Sequence, residues 1–274
     1  MDAIIQSLGQ QLLGAHYYLL AASLGVSFFI EGLNPAIAEP SERARWLHVA
    51  RNLGLWLIGF VLVETLIFNV MFAELSRAAI EQWGVARLPA WVAVIVGVLV
   101  LDFFDYVFHR TSHTLRALWS LHLVHHADLR LDGSTSLRAH PLELLLGAMF
   151  VSLVLFLFGI PIWVFAFRAV IQLPTGIWHH TNWRMPAELE ERLETILVTP
   201  AMHRLHHSPI EVETNSNFSQ TFSIWDRMFG TYRDPRAATA TKDDFGLERL
   251  RDPRWHSVAA MLKLPLSTRR FDRF

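Results

Sequence analysis

The chain has 274 residues, 52% of them hydrophobic, and a mean hydropathy of +0.29; it is more apolar than an ordinary soluble domain, so a membrane protein is the starting expectation. Its formal net charge of -1 supplies no basic footprint for phosphates and sets aside nucleic acid as a partner. With no cysteine the chain has no disulfide, zinc ribbon, cysteine-held iron-sulfur cluster or thiol nucleophile, and any metal must be held by His or carboxylate.

Residues 12–30 carry no Asp, Glu, Lys or Arg and are long enough to cross a hydrocarbon core of about 30 Å at about 1.5 Å per residue. The preceding MDAIIQSLGQ lacks the Lys or Arg of a signal-peptide n-region, so this stretch is read as mature structure. A second span, 53–72, is interrupted only by Glu64, and a third, 90–107, acquires Asp102 and Asp105 toward its end. Two more, 144–159 and 162–178, are joined through Ile160-Pro161, a junction with room only for a tight bend, which predicts a helical hairpin.

Basic residues concentrate around Arg43, Arg45 and Arg51, from Arg110 to Arg138, and after Arg184, while Arg77 and Arg87 alone lie in the other loop. With five spans, the positive-inside tendency places the amino terminus outside and the region after the third span on the cytoplasmic face. That face belongs to the cell membrane if the chain is bacterial and to the endoplasmic reticulum if it is eukaryotic. Trp83, Trp91 and Trp163 on the outer side and Trp46, Trp178 and Trp183 on the inner side fit interfacial belts. Glu64 and Arg168 lie at similar depth, roughly 10 to 14 Å from the outer ends of their helices, and are expected to pair across the bundle, as a packing device or beside a substrate tunnel.

Three histidine boxes follow: HRTSH (His109–His113), HLVHH (His122–His126) and HRLHH (His203–His207). Residues at i, i+3 and i+4 share a helix face, so His109 with His113, and His122 with His125 and His126, present imidazoles in one direction. Eight imidazoles exceed what one four-coordinate ion uses, and two metals are the simpler count. Imidazole alone does not select among Fe, Zn, Cu and Ni. The Glu-x-x-His pattern of bundle di-iron carboxylate proteins is absent, which sets that architecture aside.

The boxes, in this order and straddling a membrane hairpin, resemble those of the fatty acid hydroxylase and sterol desaturase superfamily of integral-membrane non-haem di-iron enzymes. The similarity extends to Asp102-Phe103-Phe104-Asp105-Tyr106, Arg138-Ala139-His140-Pro141-Leu142-Glu143, His179-His180-Thr181-Asn182, Thr199-Pro200 and Trp225-Asp226-Arg227-Met228-Phe229-Gly230-Thr231. The resemblance implies an all-α fold: a multi-pass helical membrane domain over residues 1–274 with a cytosolic helical cap, from 109–140 and 181–274, holding a dimetal site. It implies a dioxygen-dependent attack on an unactivated C–H bond of a fatty acyl, sterol, isoprenoid or ether lipid, as hydroxylation or desaturation. The cofactor it implies is a pair of iron ions, with zinc able to substitute in purified protein. As ligands it implies His109, His113, His122, His125, His126, His203, His206 and His207, with His179 as a further ligand and His180 as the competing choice, since neighbours on a helix point about 100° apart. Some members of the superfamily carry a histidine four residues earlier, where this chain has Thr175.

Each ligand needs a partner on its other ring nitrogen. Asp105, one turn before His109, is expected to orient that ring, with Asp102 a turn earlier on the same face. His140 and Glu143 open the fourth span beside Pro141 as site residues or as interfacial anchors; Asn182 is a candidate for orienting a ligand, and Asp226 for bracing the cap. His16, His48 and His256 are read as unrelated to the metals. Residues 233–248 read as surface loop and 255–264 as a short amphipathic segment, lying on the membrane or packed against the cap. The chain shows no haem, flavin or dinucleotide module, so a separate reductase or small electron carrier is implied beside the lipid substrate and the bilayer. The alternative class is a zinc-dependent membrane hydrolase or a metal-transfer protein; a hydrolytic zinc uses about three protein ligands, and the boxes gather at one face instead of lining a path.

Overall fold

The computed structural model describes residues 1–38, 41–66, 83–239 and 244–267. Its long helices are α1 (Asp2–Leu33), α2 (Glu42–Val63), α3 (Ala90–Thr114), α4 (Arg116–His126), α5 (Pro141–Phe158) and α6 (Ile162–His180). Shorter ones follow: α7 (Ala187–Leu193), α8 (Pro200–His206), α9 (Glu211–Thr214), α10 (Ile224–Met228) and α11 (Val258–Ser267). The fold is all-α, as expected.

Among the described residues, four helices are long and apolar enough to cross a membrane: Asp2–Leu33, Glu42–Leu66, Ala90–Thr114 and Pro141–Phe158. Exposed Phe29, Leu57, Ile95 and Leu157 give them the lipid-facing surface such helices need. The expected fifth span forms as α6, but it carries Arg168, Gln172 and two terminal histidines, and its Arg168, His179 and His180 are buried against the protein. It is therefore not a fifth member of that apolar set by length and composition, although Val170 and Ile171 on it are exposed. The end of the expected 53–72 span and Arg77 lie outside the described residues.

The α5–α6 hairpin forms at the expected junction. Gly159 ends α5 in the left-handed region (φ 58°) and its carbonyl accepts from the Ala86 N–H at 2.9 Å. Glycine serves there because φ > 0 is strained for other residues. Val85, Ala93, Leu101, Leu155, Ile160 and Val164 form one core between α3 and this hairpin. A second core joins α2, α4 and α11 through Leu55, Trp119, Leu123, Met261 and Leu264. Within the 255–264 segment, Met261 and Leu264 are packed against α2 and α4.

Two charges pair differently from expectation. Arg168 donates to Asp105, not to Glu64, and Glu64 accepts instead from the Tyr17 hydroxyl at 2.8 Å. Asp105 stands across from Arg168 on the neighbouring α3, so the nearer carboxylate takes the guanidinium.

Near the α6 terminus a buried carboxylate ties elements together. Glu31 of α1 accepts from the Gly133 N–H (2.8 Å), the Asn182 N–H (3.1 Å) and Arg45 (3.2 Å). Gly133 is obligatory in this register, because an added Cβ would stand 2.2 Å from Ser27 Oγ. These bonds anchor the 133–137 turn and the end of α6 against α1, at the same end of the bundle as the histidine boxes.

Candidate metal centre

The last turns of α3 carry His109 and His113, α4 carries His122, His125 and His126, and α8 with its following residue carries His203, His206 and His207. The short α8 starts where the sequence favours it: Thr199 caps it by accepting from the Met202 N–H at 3.4 Å, and Pro200 occupies its first position, where a missing N–H costs nothing.

These elements bring all eight box histidines together, in two adjacent groups. His109, His113, His122, His126 and His206 form the first; His125, His180, His203 and His207 form the second; within each group one ligand atom per residue lies within 4.8 Å of all the others. The stacked rings of His126 and His207, with centroids 4.5 Å apart, join the two. Of the neighbours ending α6, His180 rather than His179 is in a group. His180 Nε2 stands 3.2 Å from His125 Nε2 and 2.8 Å from His203 Nε2. The His179 ring lies beside His203, centroids 4.1 Å apart, on the other azimuth of the helix.

The Nε2 atoms converge. His109 Nε2 is 3.1 Å from His122 Nε2 and 3.0 Å from His206 Nε2, and His207 Nε2 is 3.1 Å from His203 Nε2. An ion with metal–nitrogen bonds of about 2.1 Å has adjacent octahedral ligands about 3.0 Å apart, so these separations fit coordination edges. Buried polar atoms are normally paired, yet the Nε2 atoms of His113 and His126 have no hydrogen-bond partner among the described residues. Both observations fit a centre for two metal ions.

Five of the outward nitrogens are held, whereas Nδ1 of His203 and of His207 has no hydrogen-bond partner among the described residues. Nδ1 of His109, His206 and His180 donates to the carbonyls of Phe218 (2.7 Å), Ser216 (2.7 Å) and Gly176 (2.7 Å), and that of His125 to Arg138 O (3.2 Å). His122 Nδ1 is 2.5 Å from Glu143 Oε1. A proton fixed on Nδ1 leaves the Nε2 lone pair for a metal. Burial, with neighbouring imidazoles adding to it, pushes His125, His126, His203 and His207 well below the ordinary histidine range; His206 is lowered likewise, burial outweighing its bond to Ser216 O. The neutral form is the one that ligates.

Most other expected site residues stand outside the groups. Asp105 does not orient His109: it accepts from Arg168 and from Gln172 Nε2 (3.2 Å), while the Gln220 amide lies 2.7 Å from His109 Nδ1. Asp102 accepts from Trp225 Nε1 (2.7 Å) and the Phe222 N–H (3.2 Å). Asp226 accepts from the Phe218 and Ser219 N–H groups (2.8 and 2.9 Å), bracing the loop whose Phe218 carbonyl holds His109. His140 caps α5 by accepting from the Leu142 N–H at 3.2 Å, and Asn182 bonds both backbone groups of Ile37. His16, His48 and His256 are in neither group. Gln220 and the four carbonyl acceptors were not expected; backbone acceptors leave no mark in sequence.

Residues 94–231, just over half of the chain, match the family model described as fatty acid hydroxylase. The chain belongs to the fatty acid hydroxylase family. Within 94–231 lie every histidine of both groups, together with Asp105, Glu143, Arg168 and Gln220. Among relatives, ornithine lipid hydroxylase OlsE of Rhizobium tropici is 30% identical over 167 residues, covering 61% of this chain and 47% of the relative. Human alkylglycerol monooxygenase is 35% identical over 161 residues, covering 56% and 34%. Very-long-chain aldehyde decarbonylase GL1-11 of Oryza sativa subsp. indica is 30% identical over 190 residues, covering 65% and 69%. The chain thus spans less than half the length of the first two relatives. No solved structure matches it.

Proposed function

We propose that this chain is a membrane-bound, dioxygen-dependent oxygenase that hydroxylates a C–H bond of a lipid, with one iron ion held by each histidine group. The observation carrying this reading is the pair of adjacent groups of buried imidazoles with converging Nε2 atoms in a chain of the fatty acid hydroxylase family. The hydroxylase and monooxygenase names of relatives support the reaction class, and ornithine lipid and alkylglycerol in those names support a lipid.

His109, His113, His122, His126 and His206 are assigned to one ion, and His125, His180, His203 and His207 to the other. Bound there, iron supplies the redox chemistry with dioxygen, and the protein supplies position. The balance is R–H plus O2, two electrons and two protons, giving R–OH and water. The electrons come from a separate reductase or small carrier, reaching histidine groups that face the cytoplasm. The chain's own residues hold the imidazole tautomers: Glu143 at His122, the Phe218 carbonyl at His109, and the Arg138 carbonyl at His125. A cavity walled in part by His109 and His122 gives a substrate access to the first group from the side of α5.

The test is isotopic. Lipid extracts incubated with iron-loaded protein, an artificial reductant and 18O2 should yield a lipid 16 mass units heavier for ordinary oxygen and 18 for the label. Product oxygen derived only from labelled water, or turnover under strict anaerobiosis, would contradict the reading.

A further inference from the structure

A cavity of ≈ 340 Å³ lies beside the first histidine group. His109, His122 and Glu143 line it, and so do Asp105, Arg168 and Gln172. Asp105 precedes His109 by four residues on α3, about one helical turn or about 6 Å along the axis, on the side away from the cap. Arg168 Nε (3.1 Å) and Nη2 both donate to Asp105 Oδ2, and Gln172 Nε2 donates to the same oxygen at 3.2 Å. Arg168 Nη1 makes no hydrogen bond among the described residues.

Charge decides what such a cluster accepts. The Arg168 guanidinium is neutralised by Asp105, and Glu143 adds a further carboxylate to the same cavity wall. An ionised carboxylate or phosphate therefore finds no uncompensated side-chain cation there, while an uncharged oxygen finds N–H donors. A buried ion pair is a weak source of stability, and ionisable groups at membrane depth mark substrate paths. A second cavity of ≈ 520 Å³ shares Phe108 and Phe150 with the first and continues along α5 past Leu146, Met149, Leu153 and Phe156. Its side chains are almost all apolar, as a hydrocarbon chain requires.

We propose that Asp105, Arg168 and Gln172 form a neutral polar clamp that holds an uncharged oxygen of an amphipathic substrate, in an ester, amide, ether or hydroxyl group. The clamp sits one helical turn from His109, and the hydrocarbon chain occupies the apolar cavity. Carbons beside the held oxygen, not the far end of the chain, then face the first histidine group. The assignment of this cavity to substrate rests on the oxygenase reading. The specificity it predicts is for a lipid with its carboxyl group conjugated, over the free acid or the bare alkane.

Three probes of equal chain length separate these classes: methyl palmitate, palmitate and hexadecane. Their binding is measured by competition on metal-loaded, full-length protein in one detergent, kept anaerobic so that nothing turns over. Methyl palmitate should bind at least about tenfold more tightly than either of the others, a margin set by one well-placed hydrogen bond to a charged group. Gln172→Leu should shrink that margin to about threefold or less, with hexadecane affinity unchanged; Gln172→Met provides the same comparison if the leucine variant does not fold. Equal binding of the three probes to the wild type, or a full preference surviving in the folded variant, would overturn the clamp. Admission of reductant and dioxygen should place the new oxygen within the first few carbons from the ester, and oxidation at the terminal methyl would overturn the orientation. An intact binding preference without dioxygen-dependent turnover supports the clamp and counts instead against the oxygenase reading.

Discussion

The first histidine group faces a cavity, whereas the second is backed by buried charge. In the first, His109 and His122 stand in the cavity wall, and their outer nitrogens meet Phe218 O, Gln220 and Glu143. In the second, His125 is held by the Arg138 carbonyl, and Arg138 is itself enclosed. Its guanidinium donates to Val124 O (2.9 Å) and Asn52 Oδ1 (3.2 Å) and lies 3.9 Å from Asp128. His48 bridges Asp128 and Asp132 at 2.9 Å each. Burial alone would raise Asp128, but the charges of His48 and Arg138, with hydrogen bonds from His48 and Thr135, hold its carboxyl well below the usual range. Two sets of similar imidazoles thus differ in what stands behind them: a cavity in one case, a buried polar frame in the other.

The sharpest way to break this comparison is to remove one ligand from each group. His206→Ala and His203→Ala should each lower turnover on the order of a thousandfold or more, beyond the 10- to 100-fold typical of losing an outer partner. Metal analysis should show each variant depleted at its own group. Unaltered metal content in either would remove that residue from the ligand set. Next in size, Asp128→Ala leaves Arg138 without its nearby buried carboxylate and His48 with Asp132 alone, and should destabilise the fold by about 3–5 kcal/mol, read as a lower thermal or denaturant midpoint. A loss within about 0.5 kcal/mol, the range of an ordinary surface change, would show that the frame is not under electrostatic control.

Glu143→Gln acts on the cavity side alone. It should weaken metal binding at the first group by about 10- to 100-fold and leave the second group's ion in place, as titration with a chelator would reveal. Parallel loss of both ions would mean that the groups are not separable.

The smallest effect is on pH dependence. The folded-state pKa values of His125, His126, His203, His206 and His207 are depressed, so their contribution to stability is present above the unfolded value of about 6.5 and is lost as pH falls below it. Metal-free protein should therefore melt progressively lower between about pH 6.5 and 5, and metal should shift that loss to more acidic pH. A midpoint independent of pH over this range would contradict the buried, neutral state of the imidazoles.

The gathering of the eight box histidines was legible in sequence because they obey helical spacing: the i, i+3 and i+4 positions of the boxes put their imidazoles on three short helical faces. The hairpin was legible as well, since the Ile160-Pro161 junction between two apolar runs has room only for a tight bend. Which of His179 and His180 stands within a group was not readable from spacing, because it depends on the rotation of α6 about its own axis, which packing against α1 and α3 sets. The partner of Arg168 was hidden as well. Depth along a span does not say which neighbouring helix presents a carboxylate, and Asp105 on α3 was nearer than Glu64 on α2. Four of the imidazole orienters are backbone carbonyls, and any residue type can supply one.

The most direct test of the account is the metal content and spectroscopic state of full-length protein purified from iron-replete cells. Two iron ions per chain are predicted, one for each histidine group. A single zinc ion per chain that persists in iron-replete expression, with activity independent of dioxygen, would contradict it.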